Sequence, residues 1–245
     1  MLSPESVGAR PPLAPAAGAE ARAPGVIDPP RLRGGRALRS TALAGGLFLF
    51  ASGIVLQLES GLGLGPWDVL NQGLDEHTVL SFGAANVVVA LCVLVLAWAL
   101  GARIGPGTVA NAILIGLFVD LLGALDGIAA LSERSVVSRS VLLATGILLV
   151  GLGTALYIGA AYGAGPRDSL MLVGARRTGV RIGVVRAVLE VAVAVVGLAL
   201  GGTVGIGTLV FALGVGPAVE LGFGVLGRLG FATPPTVAAS TIAPR

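Results

Sequence analysis

The sequence contains no lysine, a single cysteine, a single histidine and little charge of either sign. Cys92 alone excludes an intrachain disulfide, and Cys92 and His77 together are too few for a Cys/His metal cluster. Charged residues make up 12% of the chain, about half the share found in an ordinary soluble domain, while 55% of residues are apolar. The mean hydropathy of +0.93 agrees, and a water-soluble globule is excluded. No P-loop or nucleophile elbow is present, so neither an enzymatic constellation nor a cofactor is expected. A pI near 10.0 suggests a nucleic-acid binder. The basic residues are all arginines, however, and they collect in tails and short connectors. That distribution marks membrane topology and excludes nucleic acid as the partner.

What the chain does have is long apolar runs, at about 41–58, 82–101, 107–125, 138–160, 183–201 and 206–227. Each is close to the ~20 residues that a bilayer core requires. The expected fold is all-α: a polytopic transmembrane bundle of about six helices. Residues 1–38 form an Arg/Pro-rich tail with too few large apolar residues to bury a core, and are expected to be disordered. Residues 39–130 and 131–230 each supply three helices, and 231–245 form a short tail. With the amino terminus in the cytoplasm, Arg103, Arg167, Arg176, Arg177, Arg181, Arg228 and Arg245 fall inside, and only Arg134 and Arg139 fall outside. The connector from Glu59 to Ser81 has no arginine and is expected outside, so the positive-inside rule places both termini in the cytoplasm. Abundant Ala, Gly, Val and Arg without lysine fits a GC-rich bacterial genome, hence a plasma (inner) membrane.

The chain also repeats itself. Residues 61–124 align without a gap on 161–224, with about a third of positions identical. Gly63, Gly65, Pro66, Asp68 and Leu70 return as Gly163, Gly165, Pro166, Asp168 and Leu170. Gly101, Gly105, Gly107, Thr108, Ala112 and Gly116 return as Gly201, Gly205, Gly207, Thr208, Ala212 and Gly216, and Asp120 is answered by Glu220. Three crossings per copy turn the second copy upside down, so the bundle is expected to consist of two inverted three-helix repeats.

Pro66 and Pro166 suit a first helical position, with Asp68 and Asp168 in the first turn. Each connector therefore reads as a glycine-rich bend into a short helix. Paired Gly/Pro-interrupted segments point to a transporter's binding region, although two interfacial helix starts with self-satisfied caps are the plainer reading. Asp120 and Glu220 lie on small-residue helix faces and should meet protein or water, as a proton or cation site or as a packed interhelical hydrogen bond. Asp68, Asp168, Asp120 and Glu220 are thus the candidates for a solute or ion pathway. Arg186 and Glu190, four residues apart, are a candidate structural ion pair. His77 reads as a solvated loop residue. Trp67, Tyr157 and Tyr162 read as interfacial anchors, and Asn86 and Asn111 could bond between helices or line a path.

Gly-Pro-Trp-Asp-Val-Leu at 65–70, Ser-Phe-Gly at 81–83, Gly-Pro-Arg-Asp-Ser-Leu-Met at 165–171, Arg-Thr-Gly at 177–179, Gly-Ile-Gly-Thr at 205–208 and Gly-Pro at 216–217 carry a resemblance. From about Thr41 to Leu229 the chain resembles the YczE/YitT type of bacterial integral membrane proteins. The resemblance implies a polytopic plasma-membrane protein, and it brings neither a substrate nor a catalytic or ligand residue. The long Arg/Pro tail departs from it and reads as a local extension. Two functions are expected from the residues: a small secondary-transporter-like permease, or a non-transporting scaffold or regulator of another membrane complex. The partners to consider are the bilayer, a small solute or ion, and a second copy or another membrane protein.

Overall fold

The computed structural model describes residues 27–28, 30–125, 135–232 and 236–237. The expectations for most of the amino-terminal tail, for Arg134 and for the last residues of the carboxy-terminal tail lie outside them. The chain divides into two units. In the first, Ile27–Asp28 pairs antiparallel with Thr236–Val237 as two-residue strands.

The second unit, residues 29–234, contains eight helices among its described residues: Arg36–Ser60 (α1), Pro66–His77 (α2), Phe82–Ala99 (α3), Pro106–Gly123 (α4), Val136–Gly159 (α5), Pro166–Thr178 (α6), Ile182–Ala199 (α7) and Ile206–Arg228 (α8). Six of them are long and apolar enough to cross a membrane, with 18 to 25 residues each. At 1.5 Å per residue even an 18-residue helix reaches about 27 Å, close to the thickness of the hydrocarbon core. These six coincide with the six apolar runs to within a few residues. The additional helices, α2 and α6, have 12 and 13 residues and occupy the two connectors.

The starts follow from local chemistry. Proline occupies the first turn of α2, α4 and α6. The hydroxyl of Ser81 caps α3 by accepting from Ala84 N–H, and Thr108 and Thr208 accept from the backbone N–H of Gly105 and Gly205 at the starts of α4 and α8. On the outside, large apolar side chains such as Val95, Leu121 and Val188 stand exposed on α3, α4 and α7, as lipid-facing positions should.

The centre of the bundle is an antiparallel α1–α5 pair joined backbone to backbone. A Cβ on Gly53 would come within 2.5 Å of the Gly146 carbonyl oxygen, and one on Gly46 within 2.8 Å of that of Gly153. Glycine at these four positions lets the helices approach closely enough for dispersion contacts between backbones, the force that holds helices together in lipid. Arginines fasten both ends of the pair. Arg39 Nε donates to Ala160 O at 2.7 Å, and Arg139 Nε donates to Ser60 O at 2.6 Å. Around this axis α4 packs on α1, α8 on α5, α2 on α7 and α3 on α6. One arrangement lacks its counterpart: α3 packs closely along α4, whereas α7 and α8 barely touch. Gly197 is the one fully buried residue of α7.

Candidate functional site

After α1 and after α5 the chain does not run along the surface. Residues 62–65 and 162–165 pass against the start of the last long helix of the opposite half. Gly207 N–H donates to Leu62 O at 2.7 Å, and Gly107 N–H to Tyr162 O at 3.0 Å. Gly63 (φ +115°) and Gly163 (φ +128°) hold backbone angles that a side chain resists. A Cβ there would also lie 2.8 Å from Thr208 Oγ1 and 2.6 Å from Thr108 Oγ1, respectively. Glycine is required twice over at both positions. The two short helices therefore begin inside the bundle. Trp67 and Asp68 are buried at the start of α2, whereas Asp75 and Glu76 at its far end are exposed. Arg176 and Arg177 are likewise exposed at the end of α6. Two interfacial helix starts were one expectation from the sequence; the close approach of these glycines carries both starts inward instead.

The starts of α2 and α6 meet in a cavity of about 360 Å³. Asp68 Oδ1 lies 3.7 Å from an Arg167 guanidinium nitrogen and accepts a hydrogen bond from Asn71 Nδ2 at 3.3 Å. The Arg167 guanidinium stacks over the Trp67 ring, 5.1 Å from its centroid, so each copy of the motif contributes one partner. Asp168 Oδ2 accepts from Tyr157 O–H at 3.0 Å. Across the cavity Arg186 Nε donates to Glu190 Oε1 at 2.8 Å. Glu220 lines the same space, and among the described residues no group pairs with its carboxylate. Asn86 and Asn111 also line it; Asn86 is 3% exposed, and its Nδ2 has no hydrogen-bond acceptor. The cavity thus holds four carboxylates against two guanidiniums. With those acids ionised it carries excess negative charge, which favours a solute bearing positive charge.

Of the four pathway candidates, Asp68, Asp168 and Glu220 come together here. Asp120 does not. It lies near the end of α4, where its Oδ2 accepts from Ser81 Oγ at 2.6 Å and its Oδ1 from Gly83 N–H at 2.8 Å. It therefore closes the amino-terminal end of α3. Asp75 stands nearby, and its carboxyl is pushed above the usual range by partial burial first and then by the charges of Asp120 and Glu76. His77 sits at the end of α2 with its ring against Gly73 O at 3.3 Å. No group of three or more potential metal ligands occurs among the described residues.

Trp67 and Tyr157 are not interfacial anchors. They are 7% and 5% exposed and belong to the cavity wall. The sequence counted Arg167 among the inner-face charges; the structure places it in the cavity wall instead, and in the second motif it stands where the first has tryptophan. That difference was the available signal, because the two positions touch.

Residues 37–222, from the start of α1 into α8, match the family described as "Family of unknown function (DUF6198)". The chain belongs to this family. The chain is 40% identical over 189 residues to an "Uncharacterized protein" of Haemophilus influenzae (strain ATCC 51907 / DSM 11121 / KW20 / Rd), covering 75% of this chain and 84% of that one. It is 32% identical over 179 residues to the "Uncharacterized membrane protein YczE" of Bacillus subtilis (strain 168), covering 72% and 81%. No solved structure matches. This DUF6198 member is thus of the YczE type resembled in the sequence, and with six spanning-length helices it is a multi-pass membrane protein.

Proposed function

We propose that the protein is a small secondary-transporter-like permease of the bacterial plasma membrane, with both termini in the cytoplasm, and that its cargo is a small cationic or zwitterionic solute held between α2 and α6. The observation that carries this reading is the shared cavity. Two half-length helices start opposite each other inside the bundle, and the space between them is lined by acids, two arginines and the unpartnered Asn86 amide. Interrupted helices starting near mid-bilayer are how many carriers place backbone dipoles and side chains around a solute. The antiparallel α1–α5 pair and the reciprocal glycine contacts support two halves related by a two-fold axis in the membrane plane. A scaffold would need no such lined cavity.

The test uses the full chain in proteoliposomes, with a panel of amines, guanidines, amino acids and neutral sugars scored by thermal stabilisation and by uptake. Cationic or zwitterionic solutes should stabilise the protein and be taken up above protein-free liposomes. Asp168→Asn should weaken that binding about tenfold, the size of one lost charge-assisted interaction. If no member of the panel binds or is carried, the permease reading fails and the scaffold replaces it.

A further inference from the structure

The packing described above is broadly matched across the two halves, and the largest mismatch falls at one place. Adding one hundred to Gly46, Gly53, Gly63 and Arg39 gives Gly146, Gly153, Gly163 and Arg139, which make the same contacts in the opposite half. The mouth between α3 and α4 is shut. A Cβ on Gly83 would collide with Gly116 O, one on Gly116 would lie 2.6 Å from Val87 Cγ2, and Asp120 binds Ser81 Oγ and Gly83 N–H. The corresponding mouth between α7 and α8 stands open. Gly183 and Gly216 have no foreign atom within 4 Å of a Cβ position, and Glu220, the counterpart of Asp120, faces the cavity without a partner among the described residues. Arg181 occupies the position of Ser81; it starts α7 and makes no side-chain capping bond. Pro217 lies inside α8, next to Gly216, where α4 has Leu117. Proline removes one helical hydrogen bond and gives α8 a place to bend.

We propose that α7 and α8 close in a second conformation through the contacts that α3 and α4 make here, while the α3–α4 mouth opens. In the closed inner mouth Gly183 lies on Gly216, and the Glu220 carboxylate accepts from Gly183 N–H and from the Arg181 guanidinium. The mirrored pair is stronger in kind than Ser81–Asp120, because both partners are charged. Each mouth is then latched by an acid in the second half of one helix plugging the start of its neighbour, and one latch is made when the other is broken. This gate rests on the permease reading and supplies its alternating access: the cavity opens toward one face, then the other.

The experiment is pulsed dipolar spectroscopy on the full chain in liposomes, in a Cys92→Ala background, with spin labels at Val184→Cys on α7 and Leu221→Cys on α8, both exposed positions. Two distances are expected, the shorter being the closed mouth. Arg181→Glu should shift the populations at least fivefold toward the longer distance, the double variant Arg181→Glu/Glu220→Arg should restore the short one, and Asp120→Asn should favour the short one. In separate unlabelled protein, Arg181→Cys/Glu220→Cys should form a disulfide under the mild oxidation that links Ser81→Cys/Asp120→Cys. A single long distance in every variant, with no 181–220 cross-link where 81–120 links, overturns the gate. None of these measurements needs a solute. A mouth that moves in a protein that binds nothing from the panel keeps the gate and sinks the permease; a carried solute with an immobile mouth does the reverse.

Discussion

Arg167 and Trp67 are the one unlike pair in the matching Gly-Pro-x-Asp motifs, and the guanidinium lies on the ring while facing Asp68. Arg167→Ala leaves a carboxylate that is 4% exposed without its cation. It should lower stability by about 2 kcal/mol, read as a fall in the unfolding temperature in detergent, with Arg167→Lys recovering part of the loss. A second residue is strained by its own backbone. Gly61, after α1, sits at φ 56°, and its counterpart after α5 is Ala161 at φ 55°. Ala161→Gly should stabilise the protein by about 1 kcal/mol in the same assay. Such positions are hard to read from sequence. Tyr157 lies near the end of an apolar run and Trp67 in a connector, where aromatic rings usually meet headgroups, and only the inward path of the connectors turns those positions into an interior wall.

At the level of elements, hydropathy locates the long helices well because partition into lipid acts on each stretch almost independently. It says nothing about how deep a connector dips, which depends on the close approach of Gly63 to Gly205 and of Gly163 to Gly105 across the two halves. Asp120 and Glu220 illustrate the other limit. Their matching positions were plain, but which of two equivalent helix pairs is shut belongs to the conformation rather than to the composition of the helices. The α1–α5 seam offers a sharp test. Gly46 lies on the partner backbone, while Gly45 beside it has nothing within 4 Å of a Cβ position. Gly46→Ala should destabilise by about 1–3 kcal/mol through forced separation of the helices, and Gly45→Ala should be neutral or gain up to about 1 kcal/mol from helix propensity, both measured by thermal unfolding.

For the whole molecule, the proposed orientation sends the ends of α2 and α6 to opposite faces of the membrane. Single cysteines at Val79 and Val180, both exposed, should react with an impermeant maleimide from opposite sides of cells and inverted vesicles, in the Cys92→Ala background. Reaction of both from one side would rule out the in-plane two-fold. Three of the helix pairings, α1 with α5, α2 with α7 and α3 with α6, run between the halves, while α1 with α4 and α5 with α8 run within them. A polypeptide ending at Leu125, expressed beside another beginning at Ser135, should therefore co-purify with it, as two strangers that interlock on meeting. The covalent thread between them would then serve stoichiometry more than architecture.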